Sequence, residues 1–102
     1  MVGGPDAQLA EVAASHPRIA RREAAGAVTY EAAGAPIAVV RGATTEFRLL
    51  PEMVRAALRT PGTSPSERGP EWITFDTPAE LERYDVDRLR SWFEMAARLA
   101  GG

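Results

Sequence analysis

Residues 26–50 read GAVTYEAAGAPIAVVRGATTEFRLL, and this stretch decides the fold class. Apolar and polar residues alternate near both of its ends, a β-branched run lies in its middle, and glycine-containing turns separate the three parts. This pattern predicts three antiparallel strands near 26–32, 36–41 and 44–50, joined by hairpin turns. A shorter strand is expected before them, around Ile19.

Helical patterns flank these strands on both sides. The first helix is expected to begin at Asp6, whose carboxylate can cap it, and the second at Pro51, a residue favoured in the first turn of a helix. The last helix, over 85–100, carries apolar residues at helical spacing across half of its circumference. Residues 72–75, WITF, form a short strand between the second and last helices, and the capping-box spacing of 77–80 predicts one further helical turn.

The elements therefore follow the order α-β-β-β-α-β-α, which is typical of the α+β class. Of the hydrophobic residues 19 are Ala, so 27 larger apolar side chains remain, enough for one layer of helices over one sheet face. We expect residues 1–102 to form one small domain with a mainly antiparallel sheet of four to five strands and helices packed on one face. Residues 1–5 are expected to be a flexible tail. The other sheet face is either wet or paired with a second subunit.

The composition argues against several classes of function. The chain has no Cys and one His, so we expect no disulfide, no metal site and no cofactor. It has no apolar run long enough to cross a bilayer and no signal-peptide pattern, and we expect a cytoplasmic protein with no membrane contact. The 12 basic residues, all Arg, are outnumbered by 14 acidic ones and form no concentrated basic region, so we expect no binding of nucleic acid.

Five residues form a candidate ligand-binding site: Arg41, Glu46, Arg48, Arg68 and Trp72. The first three flank a predicted hairpin turn, so their side chains can face one another across two strands. Arg68 lies in a proline- and glycine-rich loop, long enough to close over a ligand, and Trp72 follows that loop. Two guanidiniums beside one carboxylate can hold an anion. The alternatives are a surface ion pair, which contributes only about 0–1 kcal/mol, and a core position for the Trp.

Three features follow one another in the chain: the strand-to-helix passage EFRLLPEMV over 46–54, the segment GPEWITF over 69–75, and the last helix with its Trp92-Phe93 pair. They resemble the luciferase-like domain family and, more distantly, the MmcQ/YjbR family, over residues 15–100. The resemblance implies the fold of those families. The luciferase-like group tends to carry His near its third and fourth strands, whereas 41–46 holds none, so the resemblance implies no activity that depends on them.

No catalytic motif is present: the sequence contains no nucleophile elbow, phosphate-binding loop, dinucleotide fingerprint or paired-His motif, and we assign no catalytic residue. The leading hypothesis is a small module without catalytic activity that self-associates, as in a homodimer, or binds a protein partner. The alternative hypothesis is a protein that binds a small anionic ligand, or has weak enzymatic activity, through the arginine-lined site.

Overall fold

The computed structural model describes residues 4–101 and shows an α+β fold of three helices and one six-stranded sheet. In chain order the elements are α1 (Pro5–Ala13), β1 (Ile19–Ala24), β2 (Ala27–Ala32), β3 (Ala35–Arg41), β4 (Thr44–Arg48), α2 (Pro51–Ala57), β5 (Thr63–Pro65), β6 (Trp72–Asp76) and α3 (Arg83–Gly101). All neighbouring strands pair antiparallel, in the spatial order β1-β2-β3-β4-β6-β5. The predicted fold class, with helices on one face of an antiparallel sheet, is confirmed.

Three two-residue turns build the first four strands. Ala25-Gly26 and Ala33-Gly34 have φ values of 52°, 76°, 54° and 77°, which is the pattern of type I′ turns. Gly42 has φ 60° at the first central position of the third turn, as a type II′ turn requires. These turns twist in the same sense as the strands that they join, so they favour consecutive hairpins.

The sheet has two more strands than the predicted order contains. The short strand expected around Ile19 is a full six-residue strand, β1, although its side chains are almost all exposed. It forms because it pairs along its whole length with β2 at the edge of the sheet. The second addition, β5, lies inside the predicted loop and pairs with β6, where Pro65 is tolerated because the strand is an edge strand.

The helix ends differ in detail from the prediction. Gly4 is the N-cap of α1, and Asp6 lies in its first turn instead of capping it. The helical turn expected after Thr77 does not form, and the Thr77 hydroxyl instead donates to the Ala43 carbonyl at 2.8 Å. The start of α3 is capped by a residue of its own first turn, because the Asp85 carboxylate accepts a hydrogen bond from the Glu82 backbone N–H at 2.9 Å. Of the predicted tail 1–5, residues 1–3 lie outside the described residues, while the fifth residue begins α1.

The hydrophobic core lies between the three helices and one face of the sheet. Its largest fully buried members are aromatic: Tyr30, Phe47, Phe75 and Phe93. Trp92 of α3, only 7% exposed, meets the rings of Phe47 and Phe75 edge-on at centroid distances of 6.0 and 5.0 Å. The last helix, α3, whose apolar residues recur at helical spacing, thus packs over the central strands, as that spacing predicts.

A polar cluster ties α1 to the edge of the sheet. The Tyr30 hydroxyl donates to Asp6 Oδ1 at 2.5 Å, and the Arg21 guanidinium binds both oxygens of the same carboxylate. The Arg21 bond is the main cause that lowers the pKa of the Asp6 carboxyl. Burial, reinforced by the bond to Asp6, raises the pKa of the Tyr30 hydroxyl well above its ordinary value.

Candidate functional site

All five predicted site residues lie on one side of the molecule. Strand register places Arg48 opposite Trp72 and Glu46 opposite Val39, and side-chain alternation puts Arg41 on the same sheet face as Val39. This is the face that the described helices leave uncovered, and we call it the open face. Arg68, in the loop between β5 and β6, also reaches it.

Glu46 is the centre of the group. Its side chain is only 11% exposed, and its Oε1 atom lies 3.2 Å from Arg41 Nη1 and 3.1 Å from Arg68 Nε. The Ser66 hydroxyl donates to its other oxygen, Oε2, at 2.6 Å. We call Arg41, Glu46, Ser66 and Arg68 the Arg–Glu cluster. Both oxygens of the carboxylate have partners, so the cluster is fixed before any ligand binds.

The loop that supplies two of these residues folds back over the open face. The Arg68 backbone N–H donates to Ser66 Oγ at 3.1 Å, which closes a local turn. The Arg68 guanidinium lies over the Trp72 ring at 5.4 Å from its centroid, a cation–π contact. Beside the ring, Arg48 pairs with Glu71 at 3.3 Å. Trp72 is therefore half-buried under arginines on the open face and lies outside the hydrophobic core.

The exposed groups of this surface include three arginines and, beside them, the exposed carboxylates of Glu71 and Asp76. The side chains of Arg41, Arg48 and Arg68 are 59%, 37% and 32% exposed, whereas the Glu46 carboxylate lies beneath two of them. Val39, also on the open face, is only 2% exposed although no described helix covers it. Neighbouring side chains must therefore shield it. The arrangement can hold carboxylate or phosphate groups, because guanidiniums bind both in a planar, bidentate manner.

The structure brings together every residue of the predicted site and adds two that the prediction did not name. Ser66 was within reach of sequence reasoning, because it lies two residues before Arg68 in the same proline-rich loop. Glu71 could be placed only once the register of β6 against β4 was known. Within residues 4–101, no group of three or more His, Cys, Asp or Glu side chains could hold a metal ion.

On the opposite side of the molecule, the described residues of α2 and α3 line cavities between the two helices, of which two share Met53. One of about 450 Å³ is lined by Met53, Tyr84, Arg88 and Trp92, among others. The second, of about 340 Å³, shares Met53 and is lined otherwise by Leu50, Met95, Arg98 and Leu99. The sequence predicted a core position for large aromatics, and Trp92 fills it while closing the floor of the first cavity.

The single His lies on the helix side as well. His16 Nε2 is 3.1 Å from Glu94 Oε1, which links the end of α1 to α3. No hydroxyl or thiol nucleophile is among its hydrogen-bond partners within the described residues.

Comparison with known proteins supports the fold and adds no activity. No protein-family model matches the sequence, and no curated protein matches it either. A crystal structure of a Pseudomonas syringae protein from a structural genomics consortium is similar, with a TM-score of 0.67 and 13% sequence identity. The match covers 93% of this chain and 97% of that one. At this identity the likeness shows a shared fold alone, and the resemblance to luciferase-like and MmcQ/YjbR proteins stays a prediction.

None of the helices within residues 4–101 is long and apolar enough to span a bilayer.

Proposed function

We propose that this chain is a non-catalytic interaction module that binds an acidic surface of a partner protein through its open face. The observation that carries the proposal is the Arg–Glu cluster, in which Arg41 and Arg68 are held at the surface by the buried Glu46 carboxylate. Arg48 and Trp72 extend the same surface.

The residue types on the open face support a protein partner. Arg and Trp are enriched among the residues that dominate binding energy in protein interfaces. Here the Arg68 guanidinium is already ordered by two groups, the Glu46 carboxylate and the Trp72 ring, while the Arg68 backbone N–H donates to the Ser66 hydroxyl. Because ordering a long side chain on binding costs about 0.5–1.5 kcal/mol, an arginine ordered beforehand improves affinity.

Charge favours a different protein over a second copy at this face. Two open faces packed centre to centre would bring the exposed guanidiniums of Arg41 and Arg68, whose shared carboxylate is buried, against those of the second copy. Like charges brought together at an interface oppose binding, whereas carboxylates on a partner would complement them. Self-association is therefore assigned to another surface below, and a cytoplasmic location stays a prediction of the sequence.

The test is affinity capture with quantitative mass spectrometry, using the purified chain as bait at low and at high salt. The variant is Arg48→Gln with Arg68→Gln. The matched control is Arg55→Gln with Arg59→Gln, which removes the same charge from α2 and from the turn that follows it, on the helix side. We expect partners that are lost at high salt and with the open-face variant but kept with the control. Equal capture by the wild type and the open-face variant would contradict the proposal.

A small anionic ligand is the second candidate, and one geometric feature favours it. Arg41 and Arg68 approach the same oxygen, Oε1 of Glu46, so two guanidiniums converge on one carboxylate. An external carboxylate or phosphate can bind on their exposed side. Isothermal titration with citrate and with inorganic phosphate tests this candidate. We expect saturable binding that Arg41→Gln weakens, and heats equal to the dilution blank would rule it out for both anions.

A further inference from the structure

The outer surface of α3 has a regular series of polar residues. Tyr84, Asp87, Ser91, Glu94 and Arg98 follow one another at intervals of three and four, so they form one ridge along the helix. Four of them are exposed and Glu94 is about one-third exposed. Neither Asp87 nor Arg98 has an ion-pair partner within residues 4–101. The ridge thus presents one acidic and one basic group without a counter-charge of their own.

The order of charges on this ridge is self-complementary in one direction only. Two copies of α3 that run antiparallel can be aligned so that Asp87 of each faces Arg98 of the other. The same alignment places Ser91 of one copy opposite Glu94 of the other, a hydroxyl beside a carboxylate. A parallel alignment in register would instead oppose like charges. Antiparallel packing also sets the helix dipoles in their favourable relative direction.

Ion pairs alone do not make a stable interface, which also has to bury apolar surface. Such apolar surface lies beside the ridge. The three large hydrophobic residues that are exposed among the described residues are Leu50, Leu58 and Tyr84, at 45%, 37% and 55%. The first two flank α2, and the third begins the ridge. Between α2 and α3 lies the cavity of about 340 Å³, whose lining includes Met53 and Met95. Methionine side chains adapt readily to a partner surface.

We infer that two copies of this chain associate by antiparallel packing of α3 against α3, with the flanking surface of α2 completing the interface. This contact is isologous, because each copy uses the same patch, as in most homodimers. It lies on the opposite side of the molecule from the open face. The inference is therefore independent of the proposed function, and a dimer of this kind leaves both open faces free for a partner.

Sedimentation equilibrium of the full chain between about 1 and 100 µM tests the inference, since this range brackets the micromolar affinity of modest dimers. We expect the wild type to dimerise within it. Asp87→Arg and Arg98→Asp should each weaken the dimer by about tenfold or more, because two-fold symmetry turns one substitution into two repulsive contacts. The double variant with both substitutions restores the opposite charges, so it should recover the wild-type dissociation constant.

The open-face variant, Arg48→Gln with Arg68→Gln, is the control and should dimerise like the wild type. A wild-type chain that is monomeric at about 100 µM would overturn the inference, since its affinity would then be weaker than a modest dimer needs. A dimer that both single variants leave intact, or that the double variant does not recover, would also overturn it. Circular dichroism shows that each variant is folded, so loss of the dimer is not loss of the fold.

Discussion

Replacing Tyr30 by Phe removes one buried hydroxyl and leaves the ring in place. The hydroxyl belongs to a side chain with no exposed surface and donates to the Asp6 carboxylate at 2.5 Å. The ring packs edge-on against Phe93 at a centroid distance of 5.1 Å, a contact that phenylalanine retains. The substitution therefore removes the contacts of the hydroxyl with Asp6 that hold α1 against the sheet: the short bond to the carboxylate and a longer contact, at 3.1 Å, with the backbone carbonyl oxygen.

The expected loss follows from the nature of that bond. A hydrogen bond to a charged group contributes about 1.5–3 kcal/mol to stability. Asp6 keeps its two bonds to Arg21 when the hydroxyl is gone, so its carboxylate is not left without partners. We therefore expect the free energy of unfolding to fall by about 2 kcal/mol, near the lower end of that range. With a urea m-value of about 2 kcal/mol/M, the unfolding midpoint should fall by about 1 M.

Urea titrations followed by circular dichroism measure this change, with Tyr84→Phe as the control. Tyr84 is 55% exposed, so its variant should unfold with the wild-type midpoint.

The pKa of Asp6 is lowered in the folded state, so the stability that its carboxylate provides is complete above its ordinary pKa of 3.8 and is lost as the pH falls through the folded value. The effect of Tyr30→Phe should accordingly shrink in acid. A loss below about 0.5 kcal/mol near neutral pH would refute the hydrogen-bond argument, as surface substitutions give changes of that size. A loss that is the same at all pH values would refute the role of the carboxylate charge.

Three further substitutions probe the backbone and the core, each measured by the urea midpoint. Ala33→Asn should raise stability by about 0.5–1 kcal/mol, because Ala33 has φ 54° and asparagine tolerates this conformation better, whereas Ala43→Asn should give no gain. Gly62→Ala should cost about 1–3 kcal/mol, because Gly62 has φ 91° and a Cβ atom there would lie 3.0 Å from a backbone oxygen; an unchanged midpoint would contradict this. Thr45→Val should stabilise by about 1 kcal/mol, because the buried Thr45 hydroxyl has no hydrogen-bond partner among the described residues. A destabilised Thr45→Val protein would mean that the hydroxyl does have one.

The central strands and the last helix were predictable because their local patterns agree with their tertiary roles. The turns at Gly34 and Gly42 mark the hairpins in the sequence, and the period of α3 marks its buried face. The edge strands β1 and β5 were less predictable. An edge strand buries little, so its sequence carries no hydrophobic alternation, and it forms because a neighbour offers free hydrogen-bonding groups.

The capping motif at 77–80 shows the limit of local signals. The spacing of Thr77 and Glu80 predicts the start of a helix, yet the Thr77 hydroxyl bonds to a carbonyl in the turn between β3 and β4. A contact between residues so distant in the chain cannot be read from local spacing. The helix begins later, and Asp85 supplies the capping bond from inside it.

The candidate site, like the fold, was predictable only where its residues lie close together in the chain. The hairpin pattern alone brought Arg41, Glu46 and Arg48 close together, because residues near one short turn are neighbours whatever the rest of the chain does. That Arg68 joins them depends on β6 lying next to β4, a pairing between segments far apart in the sequence. Its contact with Glu46 and its position over Trp72 follow from that pairing.

The sequence by itself determined the fold class, the hairpins, the helix that closes the core and the lack of cysteine chemistry, since each depends on composition or on residues close in the chain. Tertiary structure alone decided which face of the sheet stays open, that a carboxylate lies buried beneath arginines there, and that α3 exposes a charged ridge on the other side. These features arise from packing between distant segments, where burial, and not local propensity, sets the outcome.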